Sequence, residues 1–173
     1  EKMRYIAFLR GINVGSNKMI KMADLKTAME KAGYIDVVTI LASGNVLFSA
    51  AKNASAKDLE KLIASAFGVA VGVVLRTQDD IRKLVSLDPF KGITVTPDTR
   101  LYVTFLPPDV VPQSTPIPHD VRVVRSAPTE ICSVVTVLAQ KNTTDLMAWL
   151  DKTYGKSVTT RNWNTILRLL PHF

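Results

Sequence analysis

Asp36-Val37-Val38-Thr39-Ile40-Leu41-Ala42-Ser43-Gly44-Asn45-Val46-Leu47-Phe48-Ser49 is the segment from which the architecture follows. Residues 36–41 and 45–49 are β-branched and apolar runs joined only by Ala42-Ser43-Gly44. So short a connection turns the chain back as an antiparallel hairpin. A helical period flanks it on each side. Upstream, Met22, Leu25, Ala28, Met29 and Ala32 share one face, and Gly33 closes the helix. Downstream, Ser55 caps a helix with Leu59, Leu62, Ile63, Ala66 and Phe67 inward, stopped by Gly68. Further out lie the apolar strand Tyr5–Leu9 and the strand Val71–Arg76. Strand, helix, strand, strand, helix, strand is the split βαβ or ferredoxin-like unit. Its sheet order is 4-1-3-2, so strands one and three should be the most apolar, as Tyr5–Leu9 and Asn45–Phe48 are.

The remainder repeats this plan imperfectly. A helix over 78–87, capped by Thr77, and a connector to residue 99 lead to a strand over 100–106. Val121–Val124 and Ile131–Leu138 predict a second hairpin, and Thr143 or Thr144 starts a helix with Leu146, Trp149 and Leu150 on one face, closed by Gly155. Ser157–Thr159 reads as a short last strand and Arg161–Leu170 as a C-terminal helix. The first helix of this half falls between Pro107 and Ile117, where Pro107, Pro108, Pro112 and Pro116 allow little more than one turn. The expected fold is therefore α+β: two tandem ferredoxin-like (βαββαβ) subdomains with antiparallel sheets, plus a C-terminal helix. The first covers residues 3–77, a helix and connector 78–99, and the second, degenerate subdomain 100–173.

The 173 residues are 47% hydrophobic and 21% charged, which excludes a disordered or coiled-coil chain. The net charge is +7, and it leans N-terminal: residues 1–87 hold 13 basic against 8 acidic groups, the rest 9 against 7. Such an excess favours anionic partners. Cys132 is the single cysteine, consistent with a reducing compartment. No apolar run is long enough to span a bilayer, and the apolar run after Arg4 is too short for a signal peptide. The expectation is a cytoplasmic protein.

Two segments carry a family resemblance, Leu9-Arg10-Gly11-Ile12-Asn13-Val14-Gly15 and Thr160-Arg161-Asn162-Trp163-Asn164-Thr165. With Lys21-Met22 and Ser43-Gly44-Asn45-Val46-Leu47-Phe48, the chain resembles the bacterial domain of unknown function family 1697 over about residues 3–170. The resemblance implies tandem α+β subdomains and brings no assigned reaction, hence no catalytic residues and no cofactor. Where the family pattern has a second glycine after Val14-Gly15, this chain has Ser16.

The residues offer one candidate anion site: Arg10, Asn13, Lys18, Lys21, Ser43, Asn45, Thr160, Arg161, Asn162 and Asn164. The Gly11–Lys18 loop links a strand to a helix, where glycines admit a ligand close to the backbone and Lys18 neutralises phosphate. It is not a Walker loop, and the same glycines also serve a plain β-to-α connection. Thr160 is read as the cap of the last helix, whose free N–H groups and Arg161 would hold an anion. Trp163 is read as core, beside Ile166 and Leu167. Ser43 and Asn45 flank Gly44, which turn formation explains, or they join a polar cluster where Arg10 and Asn13 leave the sheet. His119 and His172 stand apart from Cys132, so no metal spacing exists. Cys132 reads as a buried thiol and Asp79-Asp80 as acidic residues of a first helical turn. Hydrolytic chemistry has no support: Ser43 lacks the nucleophile-elbow pattern. The expected function is binding of a phosphorylated or nucleotide-like anion in a basic, Asn-rich cleft between the two subdomains. The alternatives are non-specific nucleic-acid binding, or a non-catalytic interaction or homodimer module. An RNA platform would need base-stacking aromatics on the central strands, and the third strand offers only Phe48.

Overall fold

A computed structural model describes residues 2–10, 20–40, 44–51, 54–137 and 144–173. Asn13, Lys18, Ser43 and Leu138 lie outside the described residues. The described chain divides into two α+β units, Glu1–Lys83 with Arg168–Phe173, and Leu84–Leu167.

In the first unit β1 (Lys2–Leu9), α1 (Met22–Lys31), β2 (Ile35–Ile40), β3 (Asn45–Ala51), α2 (Ala56–Phe67) and β4 (Val73–Thr77) follow one another. The sheet order is β2-β3-β1-β4, every neighbouring pair antiparallel. The expected order and central strands are found. Alternation along these strands sends Tyr5, Ala7, Val46, Phe48 and Val73 to one face, where they bury with Leu25 and Met29 of α1 and Leu59 and Ile63 of α2. Tyr5 stacks on Phe48 at 5.5 Å between ring centres, and Tyr34 meets Phe48 edge-on at 5.1 Å. Ile6, Phe8, Leu47 and Val74 of the opposite face are buried as well.

Local signals end the helices as expected. The Ser55 hydroxyl accepts the Asp58 N–H at 3.1 Å, and Gly68 closes α2 in the left-handed conformation at φ 69°. β4 runs directly into α3 (Gln78–Leu87). There the Thr77 hydroxyl accepts the Asp80 N–H at 3.1 Å while Asp80 Oδ2 accepts the Thr77 N–H at 2.9 Å, a reciprocal cap. Arg4 fastens β1 to its surroundings. One guanidinium nitrogen donates to the Asp36 carbonyl at 2.6 Å and the Ser49 hydroxyl at 3.3 Å, the other to the His172 carbonyl at 3.3 Å. Asp36 sits at φ 51° within the register shift of β2.

The second unit holds β5 (Thr99–Phe105), β6 (Val121–Ser126), β7 (Glu130–Thr136), α4 (Thr144–Tyr154), β8 (Thr159–Asn162) and the start of α5 (Trp163–Leu169). Its sheet, β6-β7-β5-β8, is again antiparallel throughout. Leu146, Trp149 and Leu150 of α4 bury against Val121 and Val135. Two expectations need correction. No helix forms between β5 and β6: residues 106–120 run as turns and irregular chain. Proline lacks the N–H and clashes with the preceding turn, and Val110 instead packs directly on Leu106, Ile131 and Val158. The C-terminal helix starts at Trp163, not Arg161, because Thr159–Asn162 pair with Tyr102–Phe105 as a strand. Trp163 and Ile166 are buried as expected, whereas Leu167 is 39% exposed; the third buried position is Leu169. No described helix is long and apolar enough to cross a membrane.

Candidate functional site

The end of β1 is held on both sides by main chain. Leu9 N–H donates to the Gly44 carbonyl at 2.9 Å, and Arg10 N–H to the Gly72 carbonyl at 2.8 Å. Arg10 therefore leaves the sheet beside the turn of the hairpin, as expected, and also beside the entry to β4. A methyl group placed on Gly72 would lie 3.9 Å from the Arg10 Cβ. A groove of about 500 Å³ opens here, lined by Lys57, Glu60 and Lys61 of α2 and by Ala70, Val71 and Gly72. Lys57 and Lys61 stand four apart on one helical face, and both are exposed. Glu60 is engaged differently, Oε1 accepting the Val73 N–H at 3.3 Å. The wall of this groove thus holds two lysines that the sequence analysis did not single out. Their four-residue spacing was the available signal, and nothing in sequence tied it to Gly72.

Lys21, exposed, precedes α1 in extended conformation; its carbonyl accepts from the Asp24 and Leu25 N–H groups, both at 3.0 Å. Asn45 is fully buried, and its Nδ2 donates to the Ile40 carbonyl at 3.0 Å across the hairpin. That is a structural use of the amide, the turn-forming alternative of the two readings.

Thr160, Arg161, Asn162 and Asn164 lie in the second unit. Thr160 is not a helix cap. It pairs with Thr104 in the sheet, the two hydroxyls 2.9 Å apart. The residue that caps α5 is Asn162, whose Oδ1 accepts the Asn164 N–H at 3.1 Å. A donor offered to an anion in the sequence reading is thereby used by the chain itself. Arg161 lies opposite Val103, and its Nη1 donates to the Thr159 hydroxyl at 2.7 Å and the Thr160 carbonyl at 3.0 Å. Burial pulls the guanidinium down from its ordinary value to about 10. Trp163 packs edge-on against Phe90 at 5.2 Å.

Cys132 is buried in β7, and burial, with Glu130 adding to it and Arg125 opposing, pushes the thiol from 9.0 to about 12. It is chemically quiet. Phe48, the one candidate for base stacking, is buried in the helix-covered core and presents no ring to solvent. Among the described residues, no three His, Cys, Asp or Glu side chains gather as a metal site.

Fold and groove define a two-unit α+β protein with a groove on its first unit, lined by Lys57, Lys61 and Glu60 among small and apolar residues. The chain belongs to the family of proteins of unknown function DUF1697, whose family model matches residues 3–131. Among solved structures it is similar to the conserved bacterial protein SP0830 from Streptococcus pneumoniae, with 18% identity, 99% of each chain covered and a TM-score of 0.69. At that identity the likeness is one of fold. No curated protein matches the chain.

Proposed function

We propose that this protein binds a small phosphorylated or nucleotide-like anion in the groove beside Gly72, with Lys57 and Lys61 of its lining, and Arg10 bonded to Gly72, as the cations that would meet it. The observation that carries the reading is the Arg10 N–H bond to the Gly72 carbonyl at 2.8 Å, which sets Arg10 beside a groove lined by two lysines. Two lysines on the groove wall, with Arg10 bonded to its Gly72 and Glu60 as the one carboxylate of the lining, favour an anion. Sheet order and strand direction support the further reading of each unit as ferredoxin-like and the pair as a duplication whose second copy lacks its first crossover helix.

The test is calorimetric titration with inorganic phosphate, pyrophosphate, ribose 5-phosphate and ADP. Arg10→Ala with Lys61→Ala should weaken binding of the best of these by about tenfold or more, since each removes a charge-assisted contact. Lys152→Ala, an exposed cation on α4, should leave it unchanged. Undiminished affinity in the double variant overturns the reading. Binding confined to oligonucleotides, and falling log-linearly with salt, would instead mark non-specific nucleic-acid binding.

A further inference from the structure

We infer that the helix-side face of β5 and β8 is a shallow site for a neutral ligand with vicinal hydroxyls, a sugar or the ribose of a nucleoside, read by Tyr102, Thr160 and Asn162. These residues belong to the other unit from the Gly72 groove, and the inference does not rest on the anion reading.

Register places the residues. Tyr102 is opposite Asn162, and Thr104 is opposite Thr160. Tyr102 packs against the cluster of Val121, Val135 and α4, so its side of the sheet is the helix side. Alternation puts Thr104 and Thr160 on that same face, where their hydroxyls lie 2.9 Å apart. Four polar side chains thus form a two-by-two block, neighbours across the strands about 5 Å apart and neighbours along a strand about 6.6 Å apart. The first sheet treats the matching place differently. There Ala7 is opposite Leu75, both packed in the apolar core, and α2 lies along β4. In the second unit α4 buries Leu146, Trp149 and Leu150 against Val121 of β6 and Val135 of β7. Among the described residues it does not lie along β8 as α2 lies along β4. A helix packed there would call for apolar side chains, whereas a pair of hydroxyls suits a polar occupant.

The remaining hydrogen-bonding capacity identifies the occupant. Thr104 is sealed and touches no ligand, but Tyr102, Thr160 and Asn162 are half-buried. Thr160 uses one bond on Thr104 and keeps the rest of a hydroxyl's capacity, one donor and two acceptor positions in all. Asn162 Oδ1 is taken by the Asn164 N–H, which leaves Nδ2 as the donor of that amide. Among the described residues neither this Nδ2 nor the Tyr102 hydroxyl has a partner. The one charge among the described strand residues of this face is Arg100, whose Nη1 is held by the Pro97 and Thr99 carbonyls at 2.6 and 3.1 Å. Arg161 lies on the opposite face, across from Val103. Two hydroxyls and an amide, with the neighbouring cations engaged or turned away, match adjacent hydroxyls that each donate and accept. A phosphate would find no cation offered to it here.

The experiment is calorimetric titration of the full chain with ribose, glucose, adenosine and uridine at millimolar concentration, each beside its 2-deoxy or 2′-deoxy analogue. At least one should bind, and its deoxy analogue should bind about fivefold or more weaker, as when one neutral hydrogen bond is lost. A nucleoside that binds where the free sugars do not assigns the diol to a nucleoside; comparable binding by free ribose or glucose assigns it to a sugar. Tyr102→Phe removes only the hydroxyl, and Asn162→Ser keeps a helix cap while removing the amide; each should weaken binding about fivefold. Thr160→Val should do the same, but it also strips the sealed Thr104 of its partner, so the other two variants carry the test. Arg10→Ala with Lys61→Ala should leave this binding intact, which separates it from the anion groove. No binding by any of the four ligands, equal affinity for the deoxy analogue, or affinity unchanged in both Tyr102→Phe and Asn162→Ser would each overturn the inference.

Discussion

Replacing Asn45 by aspartate changes one atom's hydrogen-bonding character at a fully buried position. Nδ2 now donates to the Ile40 carbonyl at 3.0 Å; in Asn45→Asp, above its own pKa, an oxygen carrying negative charge would face that carbonyl oxygen instead. Losing the bond while leaving a buried polar group unsatisfied costs about 1–3 kcal/mol, and more when the group is charged. We therefore expect a loss of about 3 kcal/mol at pH 8. With a urea slope of about 2 kcal/mol/M, the midpoint should fall by about 1.5 M. The loss should be pH-dependent. Burial beside an acceptor raises the folded-state pKa of the new carboxyl above its unfolded value of about 3.9. The penalty is then small below about pH 4, where the protonated carboxyl can donate to Ile40, and grows as pH rises through the folded pKa. Urea unfolding of both proteins at pH 4.5 and pH 8, read as the difference between them, is the assay. Equal destabilisation at both pH values, or none at pH 8, would refute the assignment of Asn45 to the hairpin.

Two further outcomes follow from the geometry. Thr77→Val removes the hydroxyl that accepts the Asp80 N–H and should cost about 1 kcal/mol, or about 2–4 °C in Tm at this chain length; Thr77→Ser should keep most of it, and a Tm unchanged in the valine variant would contradict the cap. The Cys132 thiol should resist a disulfide reagent at neutral pH until the protein is unfolded. Because its folded pKa is raised from 9.0 to about 12, its contribution to stability is complete below about pH 9 and declines as pH rises toward 12. Cys132→Ala should flatten the alkaline limb of the stability profile, and an identical limb in both proteins would argue against a buried thiol.

Much of the fold was legible because its determinants are local. Two strands joined by three residues, Ser55 and Thr77 ahead of helical periods, and Gly33, Gly68 and Gly155 after them act within one turn of their own position. The C-terminal stretch misled for the opposite reason. Thr160 and Asn162 both suit a helix start, and only pairing with Tyr102 and Thr104, more than fifty residues earlier, makes Thr160 a strand residue and leaves the cap to Asn162. The site was less legible. Arg10 was singled out, but Lys57 and Lys61 are ordinary surface lysines until the fold sets them on the wall of the groove that Gly72 shares. Asn45 suited a turn or a ligand equally well in the chain, and the Ile40 carbonyl opposite its amide is what gives it to the hairpin.

By itself, then, the sequence determined the element order and helix ends of the first unit, the strand order of its sheet and a basic excess, because periodicity, capping and short connections act between neighbours in the chain. Tertiary structure alone decided which polar side chains serve the fold and which face a cavity. Asn45, Thr160 and Asn162 are used by main chain and neighbouring hydroxyls, while Asp120 Oδ1 is left without a donor. Whether a polar group is satisfied depends on what the folded chain sets opposite it, and that partner is not encoded at its own position.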